Sequence, residues 1–355
     1  MKHFLLIPAL LACTACSQPI TNTGFPALPD VALAAPDLAA VGDAPADAAP
    51  KTDAAPKTDT TAADTAAALD TSADTPDWGS YFDDPDVGQD VPAPDIASVP
   101  DGCSERAKLV YVVSAENVLL SFTPDKLLLK KVGTLNCAAG FGASPFSMSV
   151  DRQANAWVLY WNGMGGTNIF QVSTLDASCK PTAFKPGTPS VFGMGFSANG
   201  PGQQDETLFV AGGSGSSFWN TNNTLATIGF PGLQLSSVAT LDIAGGAELT
   251  GNGLGELYGF FPDSAPASVR QIDKKTGQTG AKSWTLPSSF GGDGAWAFAQ
   301  WGGQFYLFFK GMSDSSTNVW QLDTATGKAK IVMPNIGYEI VGAGVSSCAP
   351  TGTKP

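Results

Sequence analysis

The residues able to move protons in this chain are few in kind. Its only histidine is His3, inside an apolar N-terminal run. If that run is removed on export, no imidazole remains for a Ser-His-Asp triad, a Cys-His pair, or zinc or copper bound through histidine. Any enzyme here would have to work with carboxylates. Glu248 and Glu339 stand just ahead of short apolar segments, and Asp151 and Asp293 lie near segment ends. Glycoside cleavage needs two such groups, about 5 to 9.5 Å apart, and no motif singles out a pair. A second set is chemically different. Trp161, Asn162, Trp219, Asn220, Asn222, Phe290, Asp293, Asp314 and Tyr338 fall in Gly- and Ser-rich connections. Aromatic rings beside amides and carboxylates offer an apolar face for stacking and directional hydrogen bonds at its rim. A sugar or a polar peptide requires that combination. Between Asp84 and Asp90 oxygen ligands alternate, but the terminal Glu and flanking helices of an EF-hand are missing. The sequence therefore implies no metal and no other cofactor.

What would hold these residues is a repeat. Residues 107–348 carry no helical periodicity and read as short strands rich in Val, Leu, Ile and aromatics, punctuated by Gly, Asn, Asp and Pro. One pattern, large–small–any–small–variable, recurs five times: Phe146–Val150, Phe192–Phe196, Leu249–Gly253, Trp296–Gln300 and Val341–Val345. Three further strands follow each of the first four copies. Two of these units share Gln271-Ile272-Asp273 or Gln321-Leu322-Asp323 ahead of a Thr-Gly turn. Four strands in about 45 residues is the signature of a propeller blade. The first unit begins at its second strand, Leu109–Val113, and the fifth copy of the pattern has nothing after it. The expected fold is all-β: a five-bladed β-propeller whose C-terminal strand closes the first blade. The aromatic and amide loops listed above then share one face.

That register also orders the cysteines. Cys103 precedes the first blade's second strand and Cys348 follows its borrowed inner strand, so an antiparallel pairing brings the two together; Cys137 and Cys179 are left to pair. Four cysteines in an exported domain fit two disulfides, and their spacing excludes a zinc knuckle.

Composition divides the chain into four parts. Residues 17–101 are mostly Ala, Pro, Asp and Thr, with sixteen Asp against Lys51 and Lys57. Too little apolar bulk is present to offset ordering entropy, and like charges repel, so this is expected to be a disordered tether. It would span roughly 50 Å as a coil and about 260 Å as polyproline II. The tether accounts for the net charge of −13, since residues 102–355 balance sixteen basic against sixteen acidic residues. A neutral domain of this kind is not a nucleic-acid binder. The propeller is assigned to residues 102–350, with 351–355 a disordered tail.

The first sixteen residues have a basic start and an apolar run, Phe4–Ala12, too short to span a membrane. Leu10-Leu11-Ala12-Cys13 resembles the lipobox of bacterial lipoproteins, and Cys13-Thr14-Ala15-Cys16 is a second candidate. The resemblance implies a signal peptide over 1–16, lipidation of Cys13 or Cys16, and an outer-membrane anchor on either the periplasmic or the cell-surface side. Asp151–Val158 resembles the inner hairpin of NHL and lactonase-type propellers in one blade, with Ala154 where glycine is usual. The whole layout is similar to that of uncharacterised lipoproteins of myxobacterial type. The resulting expectation is a lipid-anchored, envelope-displayed binding or scaffold module for a glycan, polar-peptide or protein ligand. The alternative is a carboxylate-dependent glycan hydrolase or lyase.

Overall fold

Runs such as Val110-Tyr111-Val112-Val113 and Leu257-Tyr258-Gly259-Phe260-Phe261 are buried on both faces, as expected of strands with neighbours above and below. The computed structural model describes residues 102–352, apart from Gly165, Ser216, Gly292 and Asp293. The candidate lipidation residues Cys13 and Cys16 and the tether lie outside the described residues.

Blade one contains β1 (Val110–Ser114), β2 (Val118–Thr123) and β3 (Leu128–Thr134). Blade two is built from β4 (Ser144–Val150), β5 (Asn155–Trp161), β6 (Thr167–Ser173) and β7 (Cys179–Pro181). Blade three has β8 (Val191–Ala198), β9 (Glu206–Gly213), a short helix α1 (Ser217–Asn220), β10 (Asn222–Gly229) and β11 (Gln234–Ala244). Blade four comprises β12 (Glu248–Gly251), β13 (Leu257–Phe261), β14 (Ser268–Ile272) and β15 (Thr279–Thr285). Blade five has β16 (Ala295–Trp301), β17 (Gln304–Lys310), β18 (Asn318–Leu322) and β19 (Ala329–Met333). The last strand, β20 (Ile340–Gly344), returns to pair antiparallel with β1 and completes blade one. Each innermost strand touches the next, and the ring closes from β16 through β20 to β4. The protein is an all-β, five-bladed propeller, as the repeat predicts.

The small residues of the repeat explain how tightly the ring closes. Gly195 and Gly344 face the backbone of the following inner strand, where a Cβ would lie 2.8 Å from the carbonyl carbon of Leu249 or 2.7 Å from Cα of Ser149. Where the small residue is hydroxylated, it bonds instead. Ser147 and Ser149 Oγ accept the amides of Met194 and Phe196, and Thr250 Oγ1 accepts that of Gln300. The larger residues of each inner strand turn the other way: Met148 and Val150 pack with Tyr111 and Leu119 of blade one. The apolar core is accordingly a set of inter-blade layers, as between blades five and one (Phe122, Phe308, Ala343) or three and four (Phe209, Leu249, Phe261).

Pairing with the second strand corrects one detail of the repeat. Ser149, Gly195, Thr250, Ala299 and Gly344 stand opposite Trp157, Phe209, Tyr258, Tyr306 and Tyr111. The third copy therefore runs from Ala247 to Gly251, not from Leu249 to Gly253. Its first small position is filled by Glu248, opposite Phe260.

Local chemistry sets the outer turns. Asp273 Oδ1 accepts the amides of Lys275 and Thr276, and Asp323 Oδ1 those of Ala325 and Thr326. Gly277 and Gly327 then take φ of +71° and +69°, which glycine adopts without steric cost. Both expected disulfides are present, Cys103–Cys348 and Cys137–Cys179. The first ties the start of the domain to the segment after β20; the second joins the region after β3 to the outer strand of blade two.

Candidate functional site

The inner strands all start at one end of the axis, and there they surround a pocket of about 250 Å3. Blade two supplies Ser144, Pro145 and Phe146, blade four Glu248, blade five Ala295 and Trp296, and the closing strand Val341 with Glu339 just ahead of it. Trp161 from the end of β5 and Trp219 from α1 complete its wall. The aromatic rings meet edge to face: Phe146 lies 5.5 Å from Trp161 and 6.1 Å from Trp219, and Trp219 lies 6.1 Å from Trp296. Such contacts fix the rings beyond what burial alone would do. The Trp161 indole N–H is buried without a hydrogen-bond partner among the described residues.

Two carboxyl groups share the pocket in contrasting surroundings. Glu248 is 1% exposed, and its Oε2 accepts the Ser147 hydroxyl at 2.9 Å. Burial disfavours its charged form and pushes its pKa well above the usual carboxylate range, although bonds from Ser147 and the Met194 amide act against the shift. Glu339 is half-buried and forms an ion pair with Lys310 at 3.0 Å.

Of the residues expected at this face, Trp161 and Trp219 are brought together, and Glu248 and Glu339 join them. The others serve different ends. Asn162 Oδ1 closes its own loop by accepting the amides of Met164 and Gly166. Asn222 is exposed at the start of β10 and donates to the Leu241 carbonyl. Asp314 Oδ2 accepts the Gly311 amide within the β17–β18 loop. Tyr338 packs half-buried against the layer between blades five and one. Phe290 needs correcting: it is 4% exposed and belongs to the core, with its ring 4.9 Å from Phe309 and 4.7 Å from Trp320. Its loop folds inward because Pro287 O accepts the Phe290 amide, leaving the large ring to fill the space between blades four and five. Asp293 and the side chain of Asn220 lie outside the described residues. Asp151 is likewise not a site carboxylate. It accepts the amides of Gln153 and Asn155 and the Trp157 indole N–H, clamping the β4–β5 turn at the other end of the axis.

Phe146, Trp296 and Lys310 were not among the expected residues. Phe146 and Trp296 open two copies of the inner-strand repeat, at the end where the inner strands begin and the axial pocket lies. That periodic placement was the signal available.

No family model and no curated protein matches this chain. Among solved structures it is similar to a chain of a nidogen/laminin complex, at 11% identity and TM-score 0.41, covering 66% of this chain and 97% of that one. It is also similar to TolB from Acinetobacter baumannii, at 14% identity and TM-score 0.38, covering 64% of this chain and 52% of the other. A third is XC5397 from Xanthomonas campestris, a gluconolactonase, at 14% identity and TM-score 0.36, covering 59% and 70% of the two chains.

Proposed function

We propose that the protein is a lipid-anchored propeller of the cell envelope that binds a glycan or polar peptide at the axial pocket without transforming it. The observation that carries this reading is the combination of Trp161 and Trp219 around a floor made by a buried Glu248 that is bonded to Ser147. The half-buried rings offer stacking surfaces, and the unpartnered Trp161 N–H is a donor in search of an acceptor. A volume of about 250 Å3 suits one sugar unit or one side chain rather than a long oligomer.

One observation favours the alternative, a carboxylate-dependent glycan hydrolase or lyase. Glu248 and Glu339 line one pocket, the first buried on Ser147 and the second paired with Lys310. Against it, Glu248 is almost wholly buried and already engaged with Ser147, so it closes the channel rather than facing a substrate.

The test is retention of polysaccharides and peptides by the wild type and by Trp161→Ala and Trp219→Ala. Loss of about 2 kcal/mol or more of affinity with a stable fold supports the site. Unchanged affinity in both variants removes it.

A further inference from the structure

The opposite end of the propeller holds a second pocket, of about 370 Å3, between blades four and five. Its volume falls in the ordinary range of small-molecule sites. It is walled by three aromatic rings in mutual contact: Trp284 lies 5.3 Å from Phe305 and 6.1 Å from Tyr258, and Tyr258 lies 4.9 Å from Phe305. Tyr258 and Phe305 are buried while Trp284 is half-buried, and the Trp284 indole N–H donates to the Thr324 carbonyl at 3.0 Å. The ring is thus pinned by its edge and half-buried, so that part of it borders the pocket.

Beside it Gln300, only 3% exposed, lines the pocket, and its Oε1 has no hydrogen-bond partner among the described residues. The orientation of this amide is set by its other end, since Nε2 donates to the Pro350 carbonyl at 3.4 Å. A buried acceptor left unsatisfied costs stability comparable to a lost hydrogen bond, and an arriving donor would recover it. The charged groups here cancel: Glu256 and Lys282 form an ion pair at 2.6 Å. Burial works against the Glu256 carboxylate, but bonds from Lys282, Asn252 and Tyr258 outweigh it and hold its pKa below the usual value. The rim is therefore polar without a net charge.

We infer that this pocket is a binding site for a neutral saccharide, with the sugar ring stacked on Trp284 and a hydroxyl donating to Gln300 Oε1. A pyranose has one apolar face and a rim of hydroxyl donors, which matches a fixed aromatic face beside an unpaired acceptor. An anion would find Lys282 already neutralised, and a cation would find Glu256 occupied. This site is independent of the axial pocket and lies at the other end of the propeller.

The experiment follows the Trp284 indole N–H resonance of the purified full chain, held in a non-glycosidic detergent, during titration with cellobiose, maltose, lactose and N,N′-diacetylchitobiose. At least one disaccharide should shift that resonance. Trp284→Ala should weaken its binding by about tenfold or more, while Trp161→Ala leaves it unchanged. Gln300→Met, which keeps the fold's bulk and removes the acceptor, should also weaken binding and still show the Trp284 signal, so a failure of Trp284→Ala to fold does not decide the matter. The inference is overturned if none of the four disaccharides moves the resonance. It is equally overturned if binding survives both Trp284→Ala and Gln300→Met, or if a charged probe such as adenosine monophosphate shifts the signal and the disaccharides do not.

Discussion

The hydroxyl of Ser147 donates to the carboxyl of Glu248 at 2.9 Å, although the two stand on the inner strands of blades two and four. Blade three lies between them, and the bond exists because Gly193 of that blade carries no side chain. A Cβ there would strike the Ala247 carbonyl oxygen and come 2.7 Å from Cα of Glu248. One glycine thus sets both the spacing of two blades and the floor of the axial pocket.

Gly193→Ala should destabilise the propeller by about 1 to 3 kcal/mol, because the clash is with backbone on a strand that cannot retreat without opening the ring. Gly232→Ala is the matched control, since a Cβ there meets only the flexible Gln234 side chain at 3.6 Å, and it should change stability by less than about 0.5 kcal/mol. Urea midpoints measure both. Equal effects would mean that inner-strand contact does not limit the fold.

The blades were legible in sequence because small residues alternate wherever inner strands converge, as at Ser147 and Ser149, Gly193 and Gly195, and Gly342 and Gly344. The register of the third copy was not, because Glu248 fills a position that is small in every other copy, and a buried carboxyl breaks the pattern of alternating small residues. The cross-strand aromatics Trp157, Phe209, Tyr258, Tyr306 and Tyr111 would have fixed it. Trp161 and Trp219 were legible as candidates from their loops alone. Phe290 was misplaced for a physical reason: flanking Pro, Ser and Gly mark a turn, but they do not tell whether the ring between them points to water or into a gap between blades.

Glu248 predicts a pH signature. Its folded pKa is raised above the ordinary 4.5, so the neutral form is favoured by folding. The stability linked to it is full below that ordinary value and is lost as pH rises through the folded pKa. Glu248→Gln mimics the neutral acid and cannot ionise. Its melting temperature relative to wild type should therefore rise as pH climbs above the ordinary value and level off once pH passes the folded pKa. Glu206, whose pKa is also raised by burial, is present in both proteins and cancels. A difference that stays flat with pH would show that Glu248 ionises freely.

The two disulfides should differ in weight. Cys103–Cys348 closes a separation of 245 residues and Cys137–Cys179 one of 42. Chain entropy assigns them about 5.5 and about 4 kcal/mol as upper figures. Replacing the first pair with serine should cost roughly 1.5 kcal/mol more than replacing the second, measured by urea denaturation. The reverse order would contradict closure of the ring through blade one.

The anchoring proposal rests on Cys13 and Cys16. Changing both to serine should release the protein from membranes, because multiple acyl chains give stable anchoring and a single chain is marginal. Fractionation of the double variant settles it: continued membrane association would exclude lipidation as the tether.

Binding without turnover is the central claim, and recovery of bound polysaccharide tests it most directly. Immobilised wild type and Glu248→Gln would be incubated with a panel of envelope and plant polysaccharides, and both the retained and the released material sized by chromatography. The account predicts a polysaccharide retained intact by both proteins and lost from Trp161→Ala. Fragments produced by wild type and absent with Glu248→Gln would contradict it and make the axial pocket a catalytic site.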